Sequence, residues 1–263
     1  MILLYARALL LRNCGRFTHV SSDFGSQYHT HAFVTSEALY ASLTRGATWR
    51  HKTRFVDLEE DARKSLSDDY FFCDYDVKDR PLWFMPGLFV DENLQPLPKQ
   101  RGVVDKNDFN VVDEDYPSTG GTRMDGKSRG YYCPTYGRME SILPDHWILT
   151  WVSSPDNQEL DWYQVNQTFI LGKKRTMVQI IQLSQVALGE YAEGTCVTPY
   201  LQVSPAEVQR FARFEIMAAT ARYVLVSGEL RDEETYWAFD DLSIGEKGCP
   251  FSVPESYLQN KIL

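Results

Sequence analysis

The sequence predicts an α+β fold with extra β-hairpins and one long irregular insertion, and three observations carry that expectation. An apolar run opens the chain, helix-start signals stand among β-rich stretches, and residues 91–138 are rich in Pro and Gly but poor in apolar periodicity. With 263 residues, 43% of them hydrophobic and 13% aromatic, the chain has the apolar surface to close a sizeable core. A single elaborated domain over residues 1–263, with the insertion at about 91–138, is the expected organisation.

The elements follow in order. Residues 2–11 are too apolar for a solvent-washed strand and too short for an isolated helix. Interrupted by Arg7, the run is also about half the length of a bilayer span, so it reads as a buried central strand. Residues 13–32 form a polar, glycine-bearing loop. Thr35-Ser36-Glu37 then opens a helix carrying Ala38, Leu39, Ala41 and Leu43, stopped by Gly46. Asp57, followed by Glu59, Glu60 and Asp61 and later by Arg63 and Lys64, has the charge order of a second short helix.

Residues 81–85 and 88–90 read as short strands, or as a hairpin around Pro86-Gly87. After the insertion, residues 147–152, 163–171 and 177–188 have β character. Ser204-Pro205-Ala206-Glu207 announces a helix through a capping box with proline at its first position, and residues 222–230 supply a late strand. Strand, helix, strands, helix, strand resembles a ferredoxin-like or RRM-like domain with additions.

Composition narrows the function classes. The first residues, Met1-Ile2-Leu3-Leu4-Tyr5, lack the basic start of a secretory signal, so a cytoplasmic location is expected. Five cysteines, odd in number and never spaced Cys-x-x-Cys, are expected to be reduced and structural. A formal charge of −9 argues against wholesale coating of nucleic acid, so any such contact must be local.

Gly121-Thr122-Arg123-Met124-Asp125-Gly126-Lys127-Ser128 satisfies the P-loop pattern letter for letter. A working P-loop joins a buried strand to a helix, whereas acidic Asp113-Glu114-Asp115 precedes this one and Gly130, Pro134 and Gly137 follow it. Nucleotide hydrolysis is not expected. Residues 116–138 instead carry Arg123, Lys127, Arg129 and Arg138 against Asp125 alone, interleaved with Tyr116, Tyr131, Tyr132 and Tyr136. Cations with aromatic faces suit single-stranded RNA, and a solvated loop with structural tyrosines is the equal alternative.

Gly172-Lys173-Lys174-Arg175 sets three cations between two stretches that both want to be strands, which holds the charges at a strand end or turn. In an acidic chain that cluster reads as an anion site, against the alternative of an edge strand guarded by lysines. His29-x-His31 lacks a partner that would complete a metal site. No Gly-x-Ser-x-Gly motif is present, and Asp113-Glu114-Asp115 and Asp240-Asp241 read as solvated acids. No catalytic residue, metal or cofactor is expected.

The chain resembles the CRISPR handle-capping subunits of type I-D Cascade, in the Cas-five group. The resemblance runs over most of the chain. It is carried by Thr35-Ser36-Glu37-Ala38-Leu39-Tyr40-Ala41, Pro134-Thr135-Tyr136-Gly137-Arg138, Leu171-Gly172-Lys173-Lys174, Thr198-Pro199-Tyr200-Leu201 and Ser227-Gly228-Glu229-Leu230. Residues 13–32 depart from the pattern. The resemblance implies an RRM-like domain with a thumb that grips the repeat-derived 5′ handle of CRISPR RNA. It also implies that the subunit bridges Cas-seven-like backbone subunits to a large Cas-ten-like subunit surveying target DNA. Gly172, Lys173, Lys174 and Arg175 would face handle phosphates, with Arg123, Lys127, Arg129, Tyr136 and Arg138 as second-rank RNA contacts. Two alternatives stand beside it: a metal-independent endoribonuclease using Lys173 and Tyr136, and a protein-only scaffold whose acidic surface docks a basic partner.

Overall fold

The computed structural model describes residues 3–16, 20–24, 27–30, 33–44, 81–97, 104–111, 135–171, 176–219 and 223–258. In chain order the first elements are β1 Tyr5–Asn13, β2 Val20–Phe24, β3 Gln27–Thr30, β4 Phe33–Val34, helix α1 Ser36–Leu43, β5 Trp83–Phe84 and β6 Gly87–Val90. Next come β7 Val104–Val111, β8 Thr135–Ile142, β9 Trp147–Ser154, helix α2 Asn157–Asp161, β10 Thr168–Leu171, β11 Thr176–Leu183 and β12 Ala187–Leu188. The C-terminal part holds β13 Glu190–Gly194, β14 Val197–Val203, β15 Phe211–Ala219, β16 Val224–Leu230, β17 Glu234–Phe239, β18 Ser243–Ile244, β19 Lys247–Gly248, β20 Phe251–Pro254 and helix α3 Glu255–Leu258.

The central sheet runs β10-β11-β1-β9-β6-β4, with β12 beside β1 and β5 beside β9. Taken as a βαββαβ unit, β1, β6, β9 and β11 are its four strands, and they stand in the order 4-1-3-2 with every neighbouring pair antiparallel. That is the ferredoxin-like arrangement, and the fold is α+β as expected. The opening apolar run is its central strand. Leu4, Ala6, Ala8, Leu9, Leu10 and Leu11 are all buried because β1 is flanked on both edges and packed on both faces.

Helix α1 starts where its cap predicts, with Thr35 Oγ1 accepting from Ala38 N at 3.3 Å. The helix anticipated from Asp57 lies outside the described residues. The second helix of the unit is instead α2, capped by Asp156, whose Oδ1 accepts from Gln158 N at 2.9 Å. Arg7 secures the other end of α2, donating to Leu160 O and Tyr163 O at 3.2 Å each and to Ser184 O at 2.7 Å. Burial lowers its pKa, and Asp161 opposes the shift. The cation that breaks the apolar run is thus a structural clasp.

Four sequence expectations are corrected. The Ser204 signal is real, since Glu207 Oε2 accepts from Ser204 N at 2.7 Å, but it starts a 3-10 turn over Pro205–Arg210 rather than an α-helix of the central unit. From Phe211 onward the chain is extended as β15, paired with β16, and the fourth strand of the unit is β11, not residues 222–230. For residues 81–90 the short-strand reading holds and the hairpin alternative does not: β5 and β6 lie one after the other along β9, with Trp83 opposite Ser153 and Leu88 opposite Leu149. Pro86, which has no N–H, marks the break between them. Within residues 13–32, β2 and β3 pair with each other, and polarity alone had made them read as loop. Residues 163–167 turn before β10 instead of extending it, with Asn166 at φ 70°.

Inside the insertion, β7 pairs along its whole length with β8, from Val104 opposite Ile142 to Val111 opposite Thr135. These two strands, with β3 and β2, form a separate sheet in the order β2-β3-β8-β7.

The two faces of the central sheet are covered differently. On one, Leu9, Leu11, Phe89, Ile148, Val152, Val178 and Ile180 pack with Leu39 and Leu43 of α1 and Leu160 of α2. On the other, Ala6, Ala8, Leu10, Leu88, Leu149 and Trp151 pack under C-terminal strands through Cys196, Leu201, Phe211, Leu225, Trp237, Phe239 and Phe251. Trp151 centres this second layer. Its Nε1 donates to Cys249 O at 2.8 Å and its ring lies 5.4 Å from Tyr200 and 5.6 Å from Phe251. The face that an RRM leaves open for bases is here mostly closed by the chain's own strands.

Candidate functional site

Strands β10 and β11 form an antiparallel pair from Thr168 opposite Gln179 to Leu171 opposite Thr176. Gly172, Lys173, Lys174 and Arg175 connect them. These four lie outside the described residues; β10 and β11, which precede and follow them in sequence, are the two outermost strands at one edge of the central sheet.

Three segments meet at the start of β11, and one amide holds two of them together. Asn13, wholly buried at the end of β1, donates from Nδ2 to Leu143 O at 2.6 Å and to Gly15 O at 3.1 Å, while its Oδ1 accepts from His146 N at 2.7 Å. Its backbone adds Asn13 N to His146 O at 3.1 Å and Asp145 N to Asn13 O at 2.9 Å. The end of β1 is thereby tied to the turn between β8 and β9. The third segment is the start of β11: Cys14 N donates to Met177 O at 2.8 Å, and Thr176 Oγ1 donates to Arg16 O at 2.6 Å. Arg16, an exposed cation, is therefore hydrogen-bonded through its backbone to the residue that follows Arg175, and its guanidinium reaches Ser141 Oγ at 3.4 Å. Arg12, on the last stretch of β1, donates from Nη2 to Gln179 Oε1 at 2.9 Å.

Of the other anticipated residues, Tyr136 and Arg138 stand on β8, opposite Asn110 and Asp108, and Arg138 also pairs with Gln27 of β3. Arg123, Lys127 and Arg129 lie outside the described residues, as does the P-loop pattern at 121–128. Sequence reading missed Arg12, Asn13, Arg16 and Trp147, because what singles them out is cross-strand register and not a motif.

Three other reactive side chains among the described residues, His146, Cys196 and Cys249, read as structural. His146 Nδ1 lies 3.1 Å from Leu143 O and 3.2 Å from Pro144 O, within its own turn. Cys196 and Cys249 are buried and free, and burial pushes their thiols up to about 12 and about 11. Among the described residues, no group of three His, Cys, Asp or Glu side chains could hold a metal ion. Among them, too, no helix is long and apolar enough to cross a membrane.

No protein-family model and no curated protein matches the chain. Among solved structures that resemble it is a chain of a type III-B Cmr-β complex bound to cognate target RNA and AMPPnP. That likeness covers 85% of this chain and 84% of the other at 6% identity, with a TM-score of 0.36. A CRISPR protein from Archaeoglobus fulgidus is similar over 95% of this chain and 99% of its own, at 11% identity and a TM-score of 0.31. Superpositions this loose leave function to be argued from the chain's own residues.

Proposed function

We propose that this chain is a non-catalytic, cytoplasmic RNA-binding subunit that caps the 5′ handle of CRISPR RNA in a type I-D Cascade-like antiviral surveillance complex. The observation that carries the reading is the basic run Gly172-Lys173-Lys174-Arg175 in the sequence, supported by the pairing of β10 and β11, which precede and follow it, and by Arg16, whose carbonyl accepts from Thr176, the next residue along. A glycine followed by three adjacent cations suits phosphates, and a local tract of this kind reconciles RNA binding with a net charge of −9. The ferredoxin-like strand order and the motifs quoted from the sequence agree with a member of the Cas-five group.

In this reading Gly172, Lys173, Lys174 and Arg175 grip the handle phosphates. Arg123, Lys127, Arg129, Tyr136 and Arg138 add contacts from the β7–β8 side, where Tyr136 and Arg138 occupy β8. Backbone Cas-seven-like subunits and a large Cas-ten-like subunit are the protein partners, and target DNA is met indirectly.

The test is to recover the tagged protein from its native cells and sequence the RNA that accompanies it, beside a Lys173→Ala/Lys174→Ala/Arg175→Ala variant. Short RNAs sharing one repeat-derived 5′ end, depleted in the variant, are expected. In purified form, losing three phosphate contacts should flatten the log–log salt dependence of single-strand binding by about 2. Absence of RNA from both samples would replace this reading with the protein-only scaffold, and discrete metal-independent cleavage of repeat RNA would replace it with the endoribonuclease.

A further inference from the structure

The C-terminal strands do not cover all of the second sheet face. Where β1 ends, the cross-strand row is Thr168, Gln179, Arg12, Trp147 and Val90, running from β10 through β11, β1 and β9 to β6. Directly opposed residues share a face, so this row continues the layer of Leu10 and Leu149 one step outward. Val90 is buried, Trp147, Arg12 and Gln179 are half-buried, and Thr168 is exposed. One step further out on the same face, Met177 is 46% exposed. Burial fades along the row, leaving an indole beside a guanidinium, with an amide one strand further out, at the uncovered corner.

We propose that this corner, Trp147 with Arg12 and Gln179 beside it, is a stacking platform for an unpaired base of a single-stranded nucleic acid. The proposal rests on the RNA-binding reading above and adds a second kind of contact to it. Three observations select this occupant. An indole face stacks on any base, and Arg12, directly opposite Trp147 and about 5 Å away, supplies a cation; Gln179 stands one strand further out, its Oε1 accepting from Arg12 and its Nε2 donating to Asn166 Oδ1 at 3.4 Å.

Arg12 is also not saturated by the fold, since Gln179 takes one Nη2 hydrogen and the buried Nε has no hydrogen-bond partner. Finally, Arg16 follows Arg12 by four residues, with its carbonyl accepting from Thr176 and its guanidinium donating to Ser141 Oγ at 3.4 Å, so a second cation stands past the same end of β1. Asn13, next to Arg12 on β1 and bound to the turn before Trp147, keeps the platform rigid.

The experiment measures binding of the full chain to a labelled single-stranded RNA of about eight nucleotides, and to an abasic strand of equal length, by fluorescence anisotropy. Trp147→Ala and Arg12→Gln should each weaken binding to the base-bearing RNA by about 5- to 100-fold and leave the abasic strand nearly unaffected. Trp147→Phe, which preserves core contact and an aromatic face, should retain most of the affinity and guards against mistaking misfolding for lost stacking. The Lys173→Ala/Lys174→Ala/Arg175→Ala variant should weaken both strands alike. If Trp147→Ala and Arg12→Gln bind RNA as the unsubstituted chain does while the triple variant is defective, the platform is overturned and the phosphate reading stands. Equal losses on the abasic strand overturn stacking in favour of charge alone. No binding by the unsubstituted chain overturns both.

Discussion

The two faces of the central sheet are built from the same strands and serve opposite ends. The face under α1 and α2 is closed by helices from within the βαββαβ unit, as strand order 4-1-3-2 requires. The other face is closed by chain that the unit does not need for its own topology, the strands from β13 to β20. A bare RRM-like sheet offers its whole second face to a ligand. Here the C-terminal layer takes most of that face for stability and leaves its rim, where Arg12 and Trp147 lie, as the part open to the proposed ligand.

The sharpest way to break this contrast is at the centre of the closed face. Trp151→Ala should destabilise the protein by about 3–5 kcal/mol in urea unfolding, because it removes a fully buried indole and orphans Cys249 O. Asn13→Ala should cost about 2–4 kcal/mol, since three hydrogen bonds to the side-chain amide are lost in a buried setting. It should also weaken RNA binding although the residue itself is sealed from solvent, which ties the rigidity of the rim to function. Ser204→Ala should cost about 1 kcal/mol, the ordinary value of a capping residue, with RNA binding unchanged. The smallest expected effect is none. At pH 8, iodoacetamide should leave Cys196 and Cys249 unlabelled in the folded protein, because both thiols sit in the closed layer with their ionisation pushed up to about 12 and about 11; labelling mapped by mass spectrometry checks this.

Legibility followed the same contrast. Features encoded within a few residues could be read directly: the apolar run of β1, the Thr35 cap of α1, and the reciprocal pairing of Ser204 with Glu207. What failed depends on partners distant in sequence. The capping box at Ser204 says that a turn begins, not that seven residues later Phe211 will enter a strand beside β16. β7, Val-Asp-Lys-Asn-Asp-Phe-Asn-Val, has little apolar alternation and is a strand because β8 pairs with it. The basic cluster was visible as a run of like charges, whereas Arg12 and Trp147 become neighbours only through a register that joins residues on β1 and β9.

That register also bears on how the protein is made. β1 is the central strand, yet both of its flanking partners, β9 and β11, come from residues 147–183. At ordinary synthesis rates of 5–20 residues per second, roughly nine to thirty-four seconds separate the appearance of β1 from that of its second partner. Until β9 emerges, a Leu-rich segment with two bare edges must wait unpaired, a natural substrate for a holding chaperone. The sheet cannot be nucleated locally from its own middle, and slow, late-closing assembly follows from that topology.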